Sequence, residues 1–297
     1  MSKSLPELML GTFSLLVLTM NTIFWCPFIY MSALLKLLSS KPSWRAVWAG
    51  VSDGIARKWI ACNNLGLGLT KEITWDVAGL EGLDPDRWYL LISNHQSMVD
   101  IVVLQKVFHR KIPFLKFFIK KELIWVPFIG MAWWALDFPF MKRTGSTNRD
   151  LETARTACAK FKLIPATVMN FVEGTRFTRA KRSKQGSPYT HLLKPKTGGI
   201  AIVLGAMADQ LHSILDVTIV YPSGVPGIWE FLCARTLEVK VRVREIPISP
   251  ELLGDYSGDE NYRRDLNQWL NSVWKEKDEL LDAIMDGQPG AASEAMD

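Results

Sequence analysis

The tightest constraint on what this chain can fold into lies at its start: from Leu8 to Leu35 there is no charged residue. The hydrocarbon core of a bilayer takes roughly 20 apolar residues in helical form, so the run is long enough to cross one. A cleaved signal peptide would carry a basic start, a shorter apolar core and a small-residue cleavage site. Here Lys3 is followed by Glu7, the run is too long, and no such site follows. The expectation is an uncleaved spanning helix over about residues 8–35, against the alternative of a buried core helix. Asn21 and Pro27 allow a kink within it. Basic residues near the ends set orientation. Lys3 stands alone before the run, while Lys36, Lys41, Arg45, Arg57 and Lys58 follow it. That asymmetry places the rest of the chain on the cytoplasmic side.

Two further stretches are apolar enough to concern a membrane. Over residues 43–64, Trp44, Val47, Trp48, Val51, Ile55 and Trp59 recur at helical spacing. Beside an anchor this pattern predicts a helix lying on the bilayer surface, or else a surface helix packed on the core. The run LIWVPFIGMAWWALDFPFM at 123–141 is interrupted by Pro127, Gly130, Asp137 and Pro139, which argues against a second spanning helix. Its aromatic residues fit either an interfacial surface, a wall for an acyl chain, or a buried core segment.

Composition narrows the function classes. Apolar residues make up 48% of the chain and mean hydropathy is +0.07, more than a soluble enzyme needs. The net charge of +5 suits an anionic partner or simple solubility. The four cysteines, Cys26, Cys62, Cys158 and Cys233, form no C-x-x-C pair and no Cys-His cluster, so a disulfide framework or structural zinc is not expected.

After the anchor, strand and helix patterns alternate, which predicts a single α/β domain over residues 65–286. Residues 73–77 alternate like a strand, and 89–92 and 166–172 read as buried strands. A helix is expected over 147–162, with Thr147 as its cap and Leu151, Ala154, Ala157, Cys158 and Phe161 as its stripe. GGIAIVLGAM at 198–207 reads as a buried helix, and VTIVYP at 217–222 as a strand ending at proline. Residues 237–246 alternate cleanly and predict an exposed or edge strand. Tyr262, Leu266, Trp269, Leu270, Val273 and Trp274 mark a C-terminal amphipathic helix. The tail from Gly287 to Asp297 has nothing to pack and is expected to be disordered.

The heptapeptide NHQSMVD at 94–100 places His95 and Asp100 just after a buried strand. On one ideal helix positions five apart lie about 140° apart. The two meet if His95 sits in a loop and Asp100 in the first turn of the next helix. A carboxylate on one ring nitrogen fixes the tautomer and leaves the other nitrogen to take a proton, which is the arrangement for activating a hydroxyl. The competing reading is a core histidine beside an unrelated surface aspartate. There is no G-x-S-x-G elbow, and His109, His191 and His212 show no ligand-like spacing, so neither a serine nucleophile nor a metal site is expected.

A second motif, FVEGTR at 171–176, follows another strand, and ligands bind at strand C-terminal ends in α/β sheets. Gly174 allows close backbone approach, and Arg176 can grip a phosphate bidentately. Between the two motifs, FPFMKR at 138–143 ends an apolar run in adjacent cations.

Together these pieces resemble the glycerolipid acyltransferases, the 1-acylglycerol-3-phosphate (lysophosphatidate) acyltransferase family. Asn94, His95 and Asp100 match the family's N-H-x-x-x-x-D block, and Arg143 the arginine of its second. Glu173, Gly174, Thr175 and Arg176 match its E-G-T-R block, about 78 residues after His95. Val217 to Pro222 match its apolar strand ending in proline, although Pro139, Met141 and Tyr221 depart from the usual second and fourth blocks. The run FTRAKRSKQGSPYTHLLKPKTGG resembles the branch that includes longer lysophosphatidate and lysocardiolipin acyltransferases.

The resemblance implies a mixed-sheet acyltransferase domain that moves a fatty acyl group from a thioester to a lysophospholipid hydroxyl. It implies His95 as base and Asp100 as its orienter. Asn94, Glu173, Gly174 and Thr175 would build the acceptor site, with Arg143 and Arg176 on its phosphate. It requires no metal, no cofactor beyond a coenzyme A or acyl carrier protein thioester as co-substrate, and no nucleic acid. The expected location is a membrane, with the catalytic domain on the cytoplasmic face of a bacterial inner membrane. The alternative is a membrane-anchored basic protein that binds nucleic acid or anionic lipid through Arg176, Arg179, Lys181, Arg182 and Lys184 without catalysis.

Overall fold

The computed structural model of the chain describes residues 4–141, 156, 158 and 160–287. Two long helices come first, α1 (Leu5–Leu37) and α2 (Pro42–Thr70). Then follow β1 (Glu72–Ala78), β2 (Trp88–Ser93), α3 (Val99–Val107), β3 (Leu115–Phe117), β4 (Ile119–Lys120), α4 (Ile129–Ala135) and β5 (Phe140–Met141). The second half carries β6 (Thr167–Phe171), helices Arg179–Gln185 and Gly198–Met207, β7 (Leu211–Val220), helix Ile228–Cys233, β8 (Thr236–Pro247) and a C-terminal helix Glu260–Met285.

Six strands form one sheet in the order β1-β8-β7-β2-β6-β3, and β4 pairs with β5 separately. Every neighbouring pair in the large sheet is parallel except β7 and β8. This is the mixed-sheet α/β domain expected from the sequence. The period of two explains its layers. Along β2, Leu90 and Ile92 face the C-terminal helix and the 198–207 helix, while Tyr89 and Leu91 face α3 and the 228–233 helix. Both faces of β2 are therefore covered, which is why it reads as an unbroken apolar run.

Strand β8 corrects one expectation. Its alternation is not that of an edge, because β1 and β7 flank it. Val239, Val241 and Val243 are buried on one face. The other face carries Lys240, Arg242 and Arg244, and Arg242 pairs with Asp76 of β1 at 2.8 Å. Alternation reports one solvated face, and a central strand can have one too. The helix expected over 147–162 and the tail after Gly287 fall largely outside the described residues; Thr156, Cys158, Lys160 and Phe161 are helical.

Helix α1 is uninterrupted across Pro27 and is long and apolar enough to cross a membrane. It runs antiparallel to α2: Asn21 donates to Asn63 Oδ1 and the Trp59 carbonyl, and Ser32 bonds Ser52. Its contacts reach the domain at both ends. A methyl group added at Gly11 would collide with Cys233, and Lys36 donates to the Ala135 carbonyl and pairs with Asp137 at 2.6 Å. A buried pair between Asp53 of α2 and Lys116 of β3, at 3.2 Å, ties the hairpin to the sheet. One side of α1 is thus docked on the protein, and the other exposes Phe13, Leu16, Met20, Phe24, Phe28 and Met31.

Helix α2 extends beyond residue 64 to Thr70 and leads straight into β1. It buries Ala49, Asp53, Ala56 and Ile60, and the stripe divides: Ile55 and Trp59 pack on the core beside them, while Trp44, Val47 and Val51 are exposed. The 123–141 segment divides between its two readings. Ala132, Ala135, Leu136 and Phe138 are buried against α1 and α2, while Trp125 is 86% exposed, with Phe128, Met131 and Trp134 exposed beside it.

Candidate active site

Parallel pairing brings the two motifs together. Ser93 of β2 is in register with Phe171 of β6, so His95 and Glu173 each lie two residues past the end of adjacent strands. β7 runs parallel on the other side of β2, and its C-terminal end delivers Tyr221 to the same edge. This is the C-terminal edge of parallel strands, where backbone leaves the sheet and side chains converge.

His95 lies in the loop and Asp100 in the first turn of α3. The imidazole Nδ1 lies 2.9 Å from Asp100 Oδ2. The same oxygen accepts the backbone N–H of Gln96 at 2.7 Å and of Ser97 at 2.9 Å. A carboxylate only accepts, so Nδ1 carries a proton, and in the neutral ring the lone pair is on Nε2. The ring stacks on Phe171, with centroids 3.8 Å apart and planes 11° apart. No described residue bonds Nε2. The alternative of an unrelated surface aspartate is excluded, since Asp100 is fully buried. Tyr221 donates its phenol to Asp100 Oδ1 at 2.7 Å.

Glu173 lies behind this loop, fully buried. Its Oε1 accepts from the His95 N–H at 3.1 Å and its Oε2 from the Leu193 N–H at 3.0 Å. Burial pushes its carboxyl up to about 8, although both amides favour the charged form. The next residue, Gly174, has φ +70°, which is open to glycine and strained for most side chains. Lys196 lies across this turn, its Nζ 3.4 Å from where a Gly174 side chain would begin. Lys181 donates to Thr175 Oγ1 at 2.8 Å and to the Arg176 carbonyl at 2.9 Å. The Phe177 N–H returns to the His95 carbonyl at 2.7 Å, closing the two motifs on each other.

The structure therefore gathers His95, Asp100, Glu173, Gly174, Thr175 and Arg176 at one edge. It gives some of them roles other than substrate contact. Asn94 is buried and its amide is taken by Ile219, donating to the carbonyl and accepting from the N–H at 2.9 Å each. It fastens β2 to β7 with a fully buried side chain. Glu173 likewise faces backbone, not the opening. Arg176 and Lys196 are exposed, with no carboxylate partner among the described residues. Arg143 lies outside the described residues. Sequence reasoning missed Lys196, whose signal was a basic KPK run just before a glycine pair. It noted Tyr221 only as a departure from a pattern.

An oriented histidine at the strand ends, backed by a glycine turn and cations, is an arrangement that can take a proton from a hydroxyl. Residues 75–222 match the family model described as Acyltransferase, and the chain belongs to that family. It is 27% identical to 1-acyl-sn-glycerol-3-phosphate acyltransferase gamma of Mus musculus over 236 residues, covering 75% of this chain and 58% of that protein. It is 24% identical to lysocardiolipin acyltransferase 1 of Danio rerio, over 94% of this chain and 72% of that protein. The chain spans about half the length of the human gamma protein, at 52%. Its fold is similar to that of the crystal structure of the 1-acyl-sn-glycerophosphate (LPA) acyltransferase PlsC from Thermotoga maritima. The TM-score is 0.61 at 21% identity, covering 93% of this chain and 96% of that one.

Proposed function

We propose that this protein is a membrane-bound O-acyltransferase that moves a fatty acyl group from a thioester to the free hydroxyl of lysophosphatidate, giving phosphatidate. The observation that carries this reading is the buried Asp100 carboxylate on His95 Nδ1, at the same strand edge as the E-G-T-R turn.

A sugar-like or glycerol hydroxyl is too weak an acid to attack unaided, and a placed base contributes about 10²–10⁴ in rate. His95 Nε2 takes the hydroxyl proton as the oxygen bonds to the thioester carbonyl carbon. Asp100 stabilises the resulting imidazolium. The tetrahedral oxyanion collapses, the carbon–sulfur bond breaks, and the departing thiolate takes the proton back from His95. The oxyanion needs fixed donors, and the candidates are backbone amides of the E-G-T-R turn other than Gly174, whose N–H bonds the Phe171 carbonyl. Arg176 and Lys196, with Arg143, hold the acceptor's phosphate, since guanidinium and ammonium groups without carboxylate partners favour a dianion. The 179–185 helix offers the exposed Arg179 and Lys184 to anionic head groups or the phosphates of coenzyme A, while Lys181 and Arg182 bond the protein's own Thr175 and Tyr189. The carrier is coenzyme A or acyl carrier protein.

The membrane contact is the outer face of α1, continued by Trp125, Phe128, Met131 and Trp134. Lys41, Arg45 and Lys58, close to this hairpin, favour the cytoplasmic face, and we place the protein at a bacterial inner membrane. The test is acyl transfer from labelled oleoyl thioester to lysophosphatidate in membranes, wild type against His95→Ala. Phosphatidate formed by wild type alone supports reaction and base together. No transfer to lysophosphatidate, with transfer to monolysocardiolipin, moves the acceptor but keeps the chemistry. No transfer to any lysophospholipid from either carrier overturns the reading in favour of a binding protein.

A further inference from the structure

Tyr221 stands directly before Pro222 at the end of β7, at a position where the family resemblance led us to expect another residue type. The geometry points to a working role for it: we propose that Tyr221 is a positioning residue that, through Asp100, sets the orientation and charge distribution seen by His95. This rests on the acyl-transfer reading for its consequence in turnover, but not for its effect on the histidine.

The placement follows from the strand. On β7, Val217, Ile219 and Tyr221 all face α3, because successive residues alternate faces. Asp100 opens α3 just above that face. The phenol is 3% exposed and its hydroxyl reaches Asp100 Oδ1 at 2.7 Å. Asp100's two oxygens are used unequally. Oδ2 takes His95 Nδ1 together with the Gln96 and Ser97 amides. Oδ1 takes Tyr221, and no other donor among the described hydrogen bonds reaches it.

Two consequences follow. A buried acceptor left unpaired is costly, so the phenol fixes rotation of the carboxylate and keeps Oδ2 toward the ring. A donor on Oδ1 also draws negative charge away from Oδ2, so the phenol tempers the bond that Asp100 makes to His95 Nδ1–H. Burial and the adjacent carboxylate hold the Tyr221 proton well above the ordinary phenol range, so it stays a donor at every working pH. The hydroxyl, carboxylate and imidazole thus form a chain of three in which only the last member meets substrate.

The experiment is proton NMR of the full-length protein in detergent, following the hydrogen-bonded Nδ1–H of His95, identified by its loss in His95→Ala. In Tyr221→Phe the charge returns to Oδ2, the bond strengthens and the resonance moves further downfield. With 3-fluorotyrosine at position 221, a stronger donor of nearly the same shape, it moves upfield. Opposite movements in the two variants are what a merely structural tyrosine would not produce. Should Tyr221→Phe not fold, the fluorinated protein still gives the upfield shift. A resonance that stays in place, or moves the same way in both, overturns the proposal whether or not acyl transfer is found. In turnover, Tyr221→Phe lowers kcat about tenfold with both KM values held within about twofold. A wild type that transfers no acyl group would sink the reaction assignment while leaving the NMR result to decide this one.

Discussion

Among the described residues there are two histidine–aspartate pairs of nearly equal length, and only one is built into a site. His95 Nδ1 lies 2.9 Å from Asp100, and His191 Nε2 lies 2.7 Å from Asp282. The side chains of the first pair are 12% and 0% exposed, those of the second 29% and 52%. Around Asp100 two backbone amides and a phenol complete the shell, and Phe171 fixes the ring plane. The second pair lies on the surface where the segment after the basic helix meets the C-terminal helix. Water competes for both of its partners and holds neither in place. A short distance is therefore not what makes a base. What makes one is a carboxylate with no freedom to turn, next to a ring nitrogen with nothing else to bond.

This contrast can be broken or sharpened by mutation. If His95 is the base as proposed, His95→Ala should lower kcat about a thousandfold or more, with circular dichroism and melting temperature close to wild type. Turnover within tenfold of wild type would put the two pairs on the same footing. Asp100→Asn should cost about a hundredfold in kcat. It should also lower stability by about 1–3 kcal/mol in a denaturant titration, because its amide nitrogen opposes a donor. Stability and rate both unchanged would show the shell to be unimportant.

Glu173 tests the loop that carries the first pair. Its carboxyl is raised from 4.5 to about 8 in the folded protein. Between those values the native state holds a proton that the unfolded chain has lost. Stability is therefore fully present at the low end, falls as pH rises through the window, and is flat above about 8. Glu173→Gln should remove this slope, worth on the order of a few kcal/mol, in melts run from pH 5 to 8.5. An identical slope in wild type and variant would assign it elsewhere. Arg176→Ala and Lys196→Ala should each raise KM for lysophosphatidate about tenfold with little change in kcat or in KM for the thioester. A rise confined to the thioester would move these cations to the donor. His191→Ala is the smallest: stability within about 0.5 kcal/mol and unchanged turnover. A large loss there would mean that the surface pair is more than a surface pair.

Much of the site was legible because its chemistry is local in sequence. His95 and Asp100 are five positions apart, and a loop followed by a helix start is enough to join them. The glycine of E-G-T-R and the strands before each motif could be read from pattern for the same reason. The structural bond of Asn94 was not legible, because the motif gives its neighbours but not its partner, Ile219, which is 125 positions away. The alternation of β8 predicts an exposed or edge strand; its solvated face is there, but its place between β1 and β7 is not legible, because period alone does not say which strands lie on either side.

The helical hairpin makes the same point at larger scale. An uncharged run from Leu8 to Leu35 fixes a long apolar helix by itself, since backbone groups satisfied within the helix need nothing else. Whether lipid surrounds that helix or covers one face depends on Gly11 meeting Cys233 and Lys36 meeting Asp137, contacts between segments far apart in the chain. What the sequence determined, then, was helix, strand, anchor and dyad, each set by interactions within a few residues. What only the tertiary structure decided was strand order, and with it Tyr221 on Asp100, Asn94 on Ile219 and Glu173 behind His95. Those contacts depend on which distant segments share the sheet, and no local spacing carries that information.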